Sequence, residues 1–482
     1  MLRIEQIGVH DDFFDLGGHS LKVIELLAKV RDRFQVDFPM RVLYETSSVA
    51  ALATAIESIR HSGVGAAPTA VDSPIDFAQE AVLDPEIRPE DATPYTPTGE
   101  PPKDIFLTGA TGFLGVHLLH ELLQQTDANI YCLVRASTVE KAKLRVKEKL
   151  EESFHWDPQT SSRIIPVLGD LTKPRFGLPP ERFDELARVV DAVYHSGAYV
   201  NFVFPYSALK AANVLGTQEA IRLACRLKLK PLHHISLTDV ALYQDDEGVW
   251  VIDEHPADVY PRGIFMSGYA QTKWVAERLV SLVQKRGLPV TIYRPGFIEG
   301  NSETGYCNKT SELCLTLKGC IALGTAPDHN MMFDCATVDY ASKAFVYISR
   351  KPDSIGKIFG AVCPWPVHIR NVIDWISEAG YPVERVPYPE WREQVLAEVA
   401  PNPEHPLYPL LPYSVDEEIA RMPLAFPCDT TNTLTALEGS GISCPRIELG
   451  VLKKCLDFLV SVGFLSPPPQ PRPVQAEAVT PA

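Results

Sequence analysis

From Lys103 to about residue 296, short apolar runs alternate with longer stretches whose apolar positions recur at helical spacing. The runs are Ile105-Phe106-Leu107, Ile130 to Val134, Ile164 to Leu168, Ala192-Val193-Tyr194, Pro231 to Ser236 and Pro289 to Arg294, and a helix is expected from about Ala270 to Lys285. Strand-helix alternation of this kind predicts an α/β fold with a doubly wound parallel sheet. Before it, residues 1–58 read as a small all-α unit: Ser20 caps a stretch in which Leu21, Ile24, Leu27, Ala28 and Phe34 share a face, and Ser47-Ser48 opens a second helix from Val49 to Ile56. Residues 59–100 turn to Pro, Ala, Gly, Asp and Glu with little periodicity and read as a linker too poor in apolar groups to order itself fully. Beyond 297 the pattern is irregular and Pro-rich, with helical pieces near 370–379, 415–421 and 446–462, which predicts a smaller C-terminal substrate domain over 297–465. The tail, 466–482, opens on Pro467-Pro468-Pro469 and is expected to be disordered.

At 482 residues with 45% apolar content, the chain can hold two or three cores. Its formal net charge of -16 argues against a general nucleic-acid binder, which needs clustered Lys and Arg. The ten cysteines are scattered, and Cys307, Cys314 and Cys320 lack the paired spacing of a zinc site, so no metal is expected and the thiols read as reduced, in a cytoplasmic protein. No run approaches the roughly 18 apolar residues of a membrane span, and no signal-peptide core follows Met1, so no membrane partner is expected. Because a specific motif follows Met1 almost at once, the chain is expected to be cut from a longer protein.

The first candidate site lies between the run Ile105 to Thr108 and an amphipathic stretch from Leu114 to Gln124. There the chain reads Thr108-Gly109-Ala110-Thr111-Gly112-Phe113-Leu114-Gly115. Glycines at this spacing allow a tight turn, close approach to a pyrophosphate and close helix-strand packing, while the helix start offers N–H groups to the anion. This is a dinucleotide-binding, Rossmann-type fingerprint, assigned to 101–296. An NAD enzyme usually places an acid at the end of the second strand, but this chain has Arg135 after Val134. A guanidinium there favours a 2'-phosphate, hence NADPH.

Three Tyr-x-x-x-Lys pairs occur: Tyr206/Lys210, Tyr269/Lys273 and Tyr347/Lys351. Spacing alone does not separate them; position does, because chemistry in a doubly wound sheet sits beyond the carboxyl ends of its strands. Tyr269 follows the run Pro231 to Ser236 and opens a helix that puts Lys273 one turn along on the same face. An ammonium there can lower the tyrosine pKa and make the phenol a proton donor. The other two pairs read as structural.

Near the N-terminus, Asp11-Asp12-Phe13-Phe14-Asp15-Leu16-Gly17-Gly18-His19-Ser20-Leu21 resembles the phosphopantetheine site of peptidyl carrier domains in nonribosomal peptide synthetases. The resemblance implies that Ser20 carries 4'-phosphopantetheine, installed by a phosphopantetheinyl transferase, and that its thiol holds an acyl substrate.

Residues 103–465 resemble the extended short-chain dehydrogenase/reductase superfamily, and more closely the terminal thioester reductase domains of bacterial peptide synthetases. Besides Tyr269 and Lys273, the likeness rests on Gly169-Asp170-Leu171, His195-Ser196-Gly197-Ala198-Tyr199-Val200-Asn201, Asn213-Val214-Leu215-Gly216-Thr217, Tyr293-Arg294-Pro295-Gly296 and Val338-Asp339-Tyr340. It implies that Asp170 and Leu171 lie near the adenine, that Gly197, Ala198 and Asn213 line the cofactor, and that Lys273 supports both Tyr269 and the nicotinamide ribose. The implied activity is NADPH-dependent release of the carrier-bound acyl or peptidyl thioester as an aldehyde, or onward to an alcohol, fed by upstream synthetase modules. One departure stands out: the family's third catalytic hydroxyl falls at Leu237, in His234-Ile235-Ser236-Leu237-Thr238. Losing one such donor costs on the order of 3 kcal/mol. Either Ser236 or Thr238 substitutes, or hydride chemistry is impaired. The alternatives are a redox-silent release domain that cyclises its substrate, and a non-catalytic docking module.

Overall fold

The computed structural model describes residues 48–62, 75–97, 99–154, 161–201, 204–244, 249–256, 267–329, 332–333, 335–415 and 426–469, with isolated positions before residue 48. Ser20 and most of its motif, the segment 416–425 and the end of the tail lie outside these. The helix expected at Val49 runs from Val49 to Ser62, and the Ser48 hydroxyl oxygen accepts from the Ala51 N–H at 3.3 Å.

Seven strands form one parallel sheet: β1 (Asp104–Thr108), β2 (Asn129–Val134), β3 (Ile164–Leu168), β4 (Ala192–His195), β5 (Leu232–Ile235), β6 (Val290–Pro295) and β7 (Ile358–Ala361), in the order β7-β6-β5-β4-β1-β2-β3. The order reverses at β1, whose Phe106 pairs with Tyr131 of β2 on one side and Val193 of β4 on the other. Such a reversal opens a crevice at the carboxyl ends of β1 and β4. The strands are almost wholly apolar because helices cover both faces of the sheet.

Alternation along β1 divides the core. Ile105 and Leu107 pack with Leu118 and Leu119 of α1 (Phe113–Gln125) and Phe345 of a later helix, whereas Phe106 joins Phe176, Phe183, Val214 and Ile221 on the opposite face. The remaining covering helices are α2 (Val139–Ser153), α3 (Pro180–Val189), α4 (Gly216–Cys225), α5 (Gly268–Lys285) and α6 (Val338–Ser349), which contributes Phe345.

Two features depart from the expected division. The chain forms two compact units, and the sheet unit includes 333–366 and 423–446 besides everything up to Ser302. Where the pattern suggested one crossing after residue 296, the chain passes between the units several times. The reason is β7, a four-residue strand inside the irregular region, which pairs with β6 along Ile358 to Ala361. The second unit, 303–332, 367–422 and 447–482, contains helices Glu312–Leu323, Ile369–Glu378 and Leu449–Ser461, the last two packed on each other.

The second departure is the linker. Residues 75–97 lie on the sheet unit, with Ile87 and Ala92 buried. Their anchors are few but specific: Phe77 meets the Tyr206 ring edge-on, Arg222 binds Asp84 and Glu86, and Arg286 binds Glu90. Composition averaged over the segment hides such anchors. Among the described residues, no helix is long and apolar enough to cross a membrane, and no group of His, Cys, Asp and Glu is arranged to hold a metal ion.

Candidate functional site

The glycine turn stands at the sheet's reversal point. Gly109 takes a left-handed φ of 80°, which an L side chain adopts only with strain, and a Cβ on it would lie 2.8 Å from the Gly197 nitrogen. A Cβ on Gly115 would lie 1.9 Å from the Gly109 carbonyl oxygen, so only glycine lets α1 start this close to the strand. Gly112 is the N-cap of α1, and no side chain caps the helix. A bare helix start beside the sheet's crevice fits a pyrophosphate, and Thr108 to Gly115 are the residues that would hold it.

Thr108 closes this turn onto the next one. Its hydroxyl oxygen accepts from the Gly197 N–H at 2.9 Å and pairs with His195 Nδ1 at 2.8 Å, and His195 Nε2 lies 2.9 Å from the Thr217 hydroxyl, which donates to the Asn213 carbonyl at 2.6 Å. One proton arrangement satisfies all four contacts: Thr108 donates to Nδ1, and Nε2 carries the hydrogen toward Thr217. Burial and the Lys273 charge hold His195 down to about 3, so the ring is neutral as that arrangement needs. From Asn213 the network continues to the helix of Tyr269. The Asn213 side chain clamps the backbone of Tyr199 at 2.7 and 3.1 Å and donates to Thr272 at 2.9 Å, and Thr272 donates to the Tyr269 carbonyl at 2.7 Å. A single, largely buried chain of hydrogen bonds thus joins the glycine turn, the backbone of Gly197 and Tyr199, and the first turn of α5.

Arg135 directly follows β2 and is exposed, and its charge reaches Asp170. Burial raises the Asp170 carboxyl, but the Thr172 N–H and hydroxyl with the charges of Arg135 and Lys173 outweigh it and hold the group low. A second guanidinium, Arg145 of α2, donates to the Arg135 carbonyl at 2.9 Å. Its ten-residue separation from Arg135 in sequence concealed it. Leu171 packs against Gly197 and against Gly216, the first residue of α4.

Tyr269 is in the first turn of α5, half-buried, where the Ser267 side chain caps the helix by accepting from Ala270 at 3.2 Å. Lys273, one turn on, donates to the carbonyl of Ile235 at 2.5 Å. Burial brings its ammonium down to about 8, against the opposing pull of Glu277. Tyr269 differs from expectation: burial, followed by the negative charge of Asp239, pushes its phenol well above the usual range. Burial and Asp239 thus favour the neutral phenol, and Lys273 spends one of its three N–H donors on Ile235.

The backbone stays extended through Leu237, with φ -155° and ψ 164°, before a turn of 3-10 helix over Thr238 to Ala241. Ser236 and Thr238 therefore flank Leu237 on the opposite face. The Ser236 hydroxyl is buried without a hydrogen-bond partner among the described residues, and the Thr238 hydroxyl donates to the Asp239 carboxylate at 3.4 Å. Asp239 was not among the residues singled out from the sequence, because its placement depends on that turn.

The other two Tyr-x-x-x-Lys pairs have different work. Tyr206 and Lys210 both bind Glu80, at 2.8 and 2.7 Å. Lys351 donates to the Ala436 carbonyl at 2.5 Å and lies over the Tyr347 ring.

Residues 107–345 match the family model described as male sterility protein, and residues 1–56 match the phosphopantetheine attachment site. A solved structure of the terminal R domain from the myxalamid PKS-NRPS biosynthetic pathway is 40% identical, with a TM-score of 0.75, and is covered over 99% of its length by 82% of this chain. The chain belongs to the family of terminal reductase domains of nonribosomal peptide synthetases. As a member it couples a phosphopantetheine-bearing carrier domain to an NADPH-binding oxidoreductase domain. A linear gramicidin synthase polypeptide of Brevibacillus parabrevis is 41% identical over 471 residues, 96% of this chain but 9% of that protein. The chain spans 9 to 46% of the lengths of this and two further curated relatives. An archaeal thiolation-reductase di-domain shares the fold over 96% of this chain and 95% of its own, with a TM-score of 0.71 at 22% identity.

Proposed function

We propose that this chain ends a synthetase assembly line in the cytoplasm by reducing the acyl or peptidyl thioester on its own carrier domain to an aldehyde. In this reading a phosphopantetheinyl transferase loads Ser20, and upstream modules deliver the acyl group to the arm. NADPH, when bound, supplies the hydride. Thr108, Gly109, Thr111, Gly112, Phe113, Leu114 and Gly115 hold its pyrophosphate, Arg135 its 2'-phosphate, Asp170 and Leu171 its adenine side, and Gly197, Ala198, Asn213 and Lys273 its nicotinamide side. Tyr269 gives its proton to the oxygen of the thioester carbonyl, and the resulting thiohemiacetal collapses to aldehyde and free arm thiol. The missing donor at 237 has to come from Ser236 or Thr238, which the extended backbone at Leu237 turns to the other face, so the rescue requires that face to meet the substrate oxygen.

The observation that carries the reading is the continuous buried network from Thr108 through His195, Thr217, Asn213 and Thr272 to Tyr269. It fixes a proton donor relative to a nucleotide cradle, as hydride transfer to a carbonyl requires. The test is incubation of the chain, acyl-loaded on Ser20, with NADPH, followed by mass analysis of the released product. Aldehyde or alcohol with equivalent NADPH loss supports it. A cyclised product formed without NADPH loss replaces it with the redox-silent reading.

A further inference from the structure

We propose that Glu277 and Arg294 are positioning residues for Tyr269: their buried pair fixes where α5 stands on the sheet, and so where the phenol meets the substrate carbonyl. The inference rests on the reductive reading above. Tyr269, Lys273 and Glu277 recur every fourth residue on α5 and form one stripe along the helix. Two of the three are bound to neighbouring strands. Lys273 donates to the Ile235 carbonyl of β5 at 2.5 Å. Glu277 accepts two bonds from the Arg294 guanidinium of β6, Nε to Oε2 at 3.2 Å and Nη2 to Oε1 at 2.5 Å. Ile235 pairs with Tyr293, the residue before Arg294, so the two anchors lie side by side at the carboxyl ends of β5 and β6. Tyr269 is the third member of the stripe, one turn beyond Lys273.

The apolar packing of α5 does not fix this position by itself. Trp274, Val275, Leu279, Val280 and Val283 press the helix onto the core through contacts that have no direction. A forked carboxylate-guanidinium pair is directional. Arg294 and Glu277 are 1% and 2% exposed, and at that depth an ion pair gives little net stability over an apolar pair of the same size. What it adds is geometry. The guanidinium is itself held from another side, because Nη1 donates to the Asp253 carbonyl at 2.8 Å. The next residue, Glu254, accepts from the Gly360 N–H of β7 and from the Asn432 N–H, both at 2.6 Å.

With Glu277 released, the polar stripe of α5 turns on Lys273 alone, which stands about 6 Å along the axis from Tyr269 at 1.5 Å per residue. A tilt of about 10° on that pivot moves the first turn by about 1 Å, and a misplacement of about 1 Å at a reacting group can cost a hundredfold in rate.

The experiment uses the full chain with NADPH and octanoyl-pantetheine. It compares the unchanged protein with Glu277→Leu/Arg294→Met, in which apolar side chains of similar size replace both partners, and with Arg294→Lys, which keeps the charge and loses the fork. The double variant should melt near the temperature of the unchanged protein, bind NADPH within about twofold and hold KM within about threefold, yet lose at least about tenfold in kcat. Arg294→Lys should recover part of that loss. In a Tyr269→Phe background the same double change should lower kcat by less than about threefold, because the group it positions is gone. A folded double variant with kcat within about twofold of the unchanged protein, or a loss that adds in full to that of Tyr269→Phe, overturns the role while leaving reduction intact. A double variant that does not fold overturns it too, because the pair then carries the fold. An unchanged protein that oxidises no NADPH overturns the reductive reading, and the positioning role with it.

Discussion

Lys273 donates its ammonium hydrogen to the carbonyl of Ile235 at 2.5 Å, bridging α5 to the last residue of β5. This bond ties the helix that carries Tyr269 to the carboxyl end of β5 and uses one of the ammonium's three hydrogens. Lys273 thus holds α5 in place as well as carrying charge, and burial with Asp239 raises the Tyr269 phenol.

Tyr269→Phe should lower thioester reduction by at least a hundredfold with little change in thermal stability, since it removes one hydroxyl and keeps the ring. Tyr206→Phe should do the reverse. It cuts the bond to Glu80, at 2.8 Å, and should cost about 1 kcal/mol of stability with reduction nearly unchanged. Tyr347→Phe should be mild in both. Rates and melting temperatures of the three variants check this, and a large loss of rate in Tyr206→Phe would show that the wrong pair was chosen.

NADPH should bind more tightly than NADH. Arg135 is exposed at the end of β2, and Arg145 donates to its backbone carbonyl at 2.9 Å, so these are the two guanidiniums proposed to meet a 2'-phosphate. A charge-assisted contact there is worth roughly 1.5 to 3 kcal/mol. Arg135→Ala should erase most of the preference, and Arg145→Ala part of it, in titrations of the two nucleotides. Equal affinities in the unchanged protein would rule out the pairing.

How much of this could be read in advance depended on the range of the interaction. The glycine turn was legible because its three glycines, the preceding run Ile105 to Thr108 and the following helix are contiguous, and one local constraint explains them all. The choice of Tyr269 over Tyr206 and Tyr347, which the three variants test, drew only on the order of strands. By contrast, Asp239, Thr272 and Arg145 act through partners brought near by folding: Asp239 by a 3-10 turn, Thr272 by Asn213 from 59 positions away, Arg145 by the carbonyl of Arg135. The seventh strand escaped because Ile358 to Ala361 lies in the irregular, Pro-rich region beyond 297, where no strand-helix alternation frames it. The ordered strap over 75–97 escaped because its stability comes from a few anchors, such as Arg222 on Asp84, and not from a hydrophobic pattern.

Gly115→Ala tests the cradle by itself. The added Cβ would fall 1.9 Å from the Gly109 carbonyl oxygen, a backbone atom that cannot turn aside, so α1 must move away from the strand end. Nucleotide affinity should drop at least tenfold, and the melting temperature should fall as well. Gly450→Ala, on a helix of the second unit where an added Cβ meets nothing within 4 Å, is the control and should leave both unchanged. Nucleotide titration and calorimetry on the two variants decide it. Unaltered binding in Gly115→Ala would show that the turn does not hold the pyrophosphate.

The decisive position is Leu237. Its extended backbone, φ -155° and ψ 164°, turns Ser236 and Thr238 to the face opposite the one it presents. A hydroxyl introduced at 237 would therefore point where neither neighbour points, which makes Leu237→Thr an addition and not a duplication. If Ser236 or Thr238 already supplies the oxyanion donor, Leu237→Thr should preserve or raise the rate, while Ser236→Ala or Thr238→Ala should slow it tenfold or more, about 1.4 kcal/mol in barrier. Ser236 is the sharper probe because its buried hydroxyl has no protein partner to lose, so removing it should leave stability almost untouched. Thr238→Ala also removes the hydroxyl that donates to Asp239 at 3.4 Å, so a small loss of stability accompanies any loss of rate. Steady-state NADPH oxidation by the four proteins, each acyl-loaded on Ser20, separates the cases. Release of product without NADPH consumption in the unchanged chain, with reduction switched on only by Leu237→Thr, would show that Leu237 silences the hydride step.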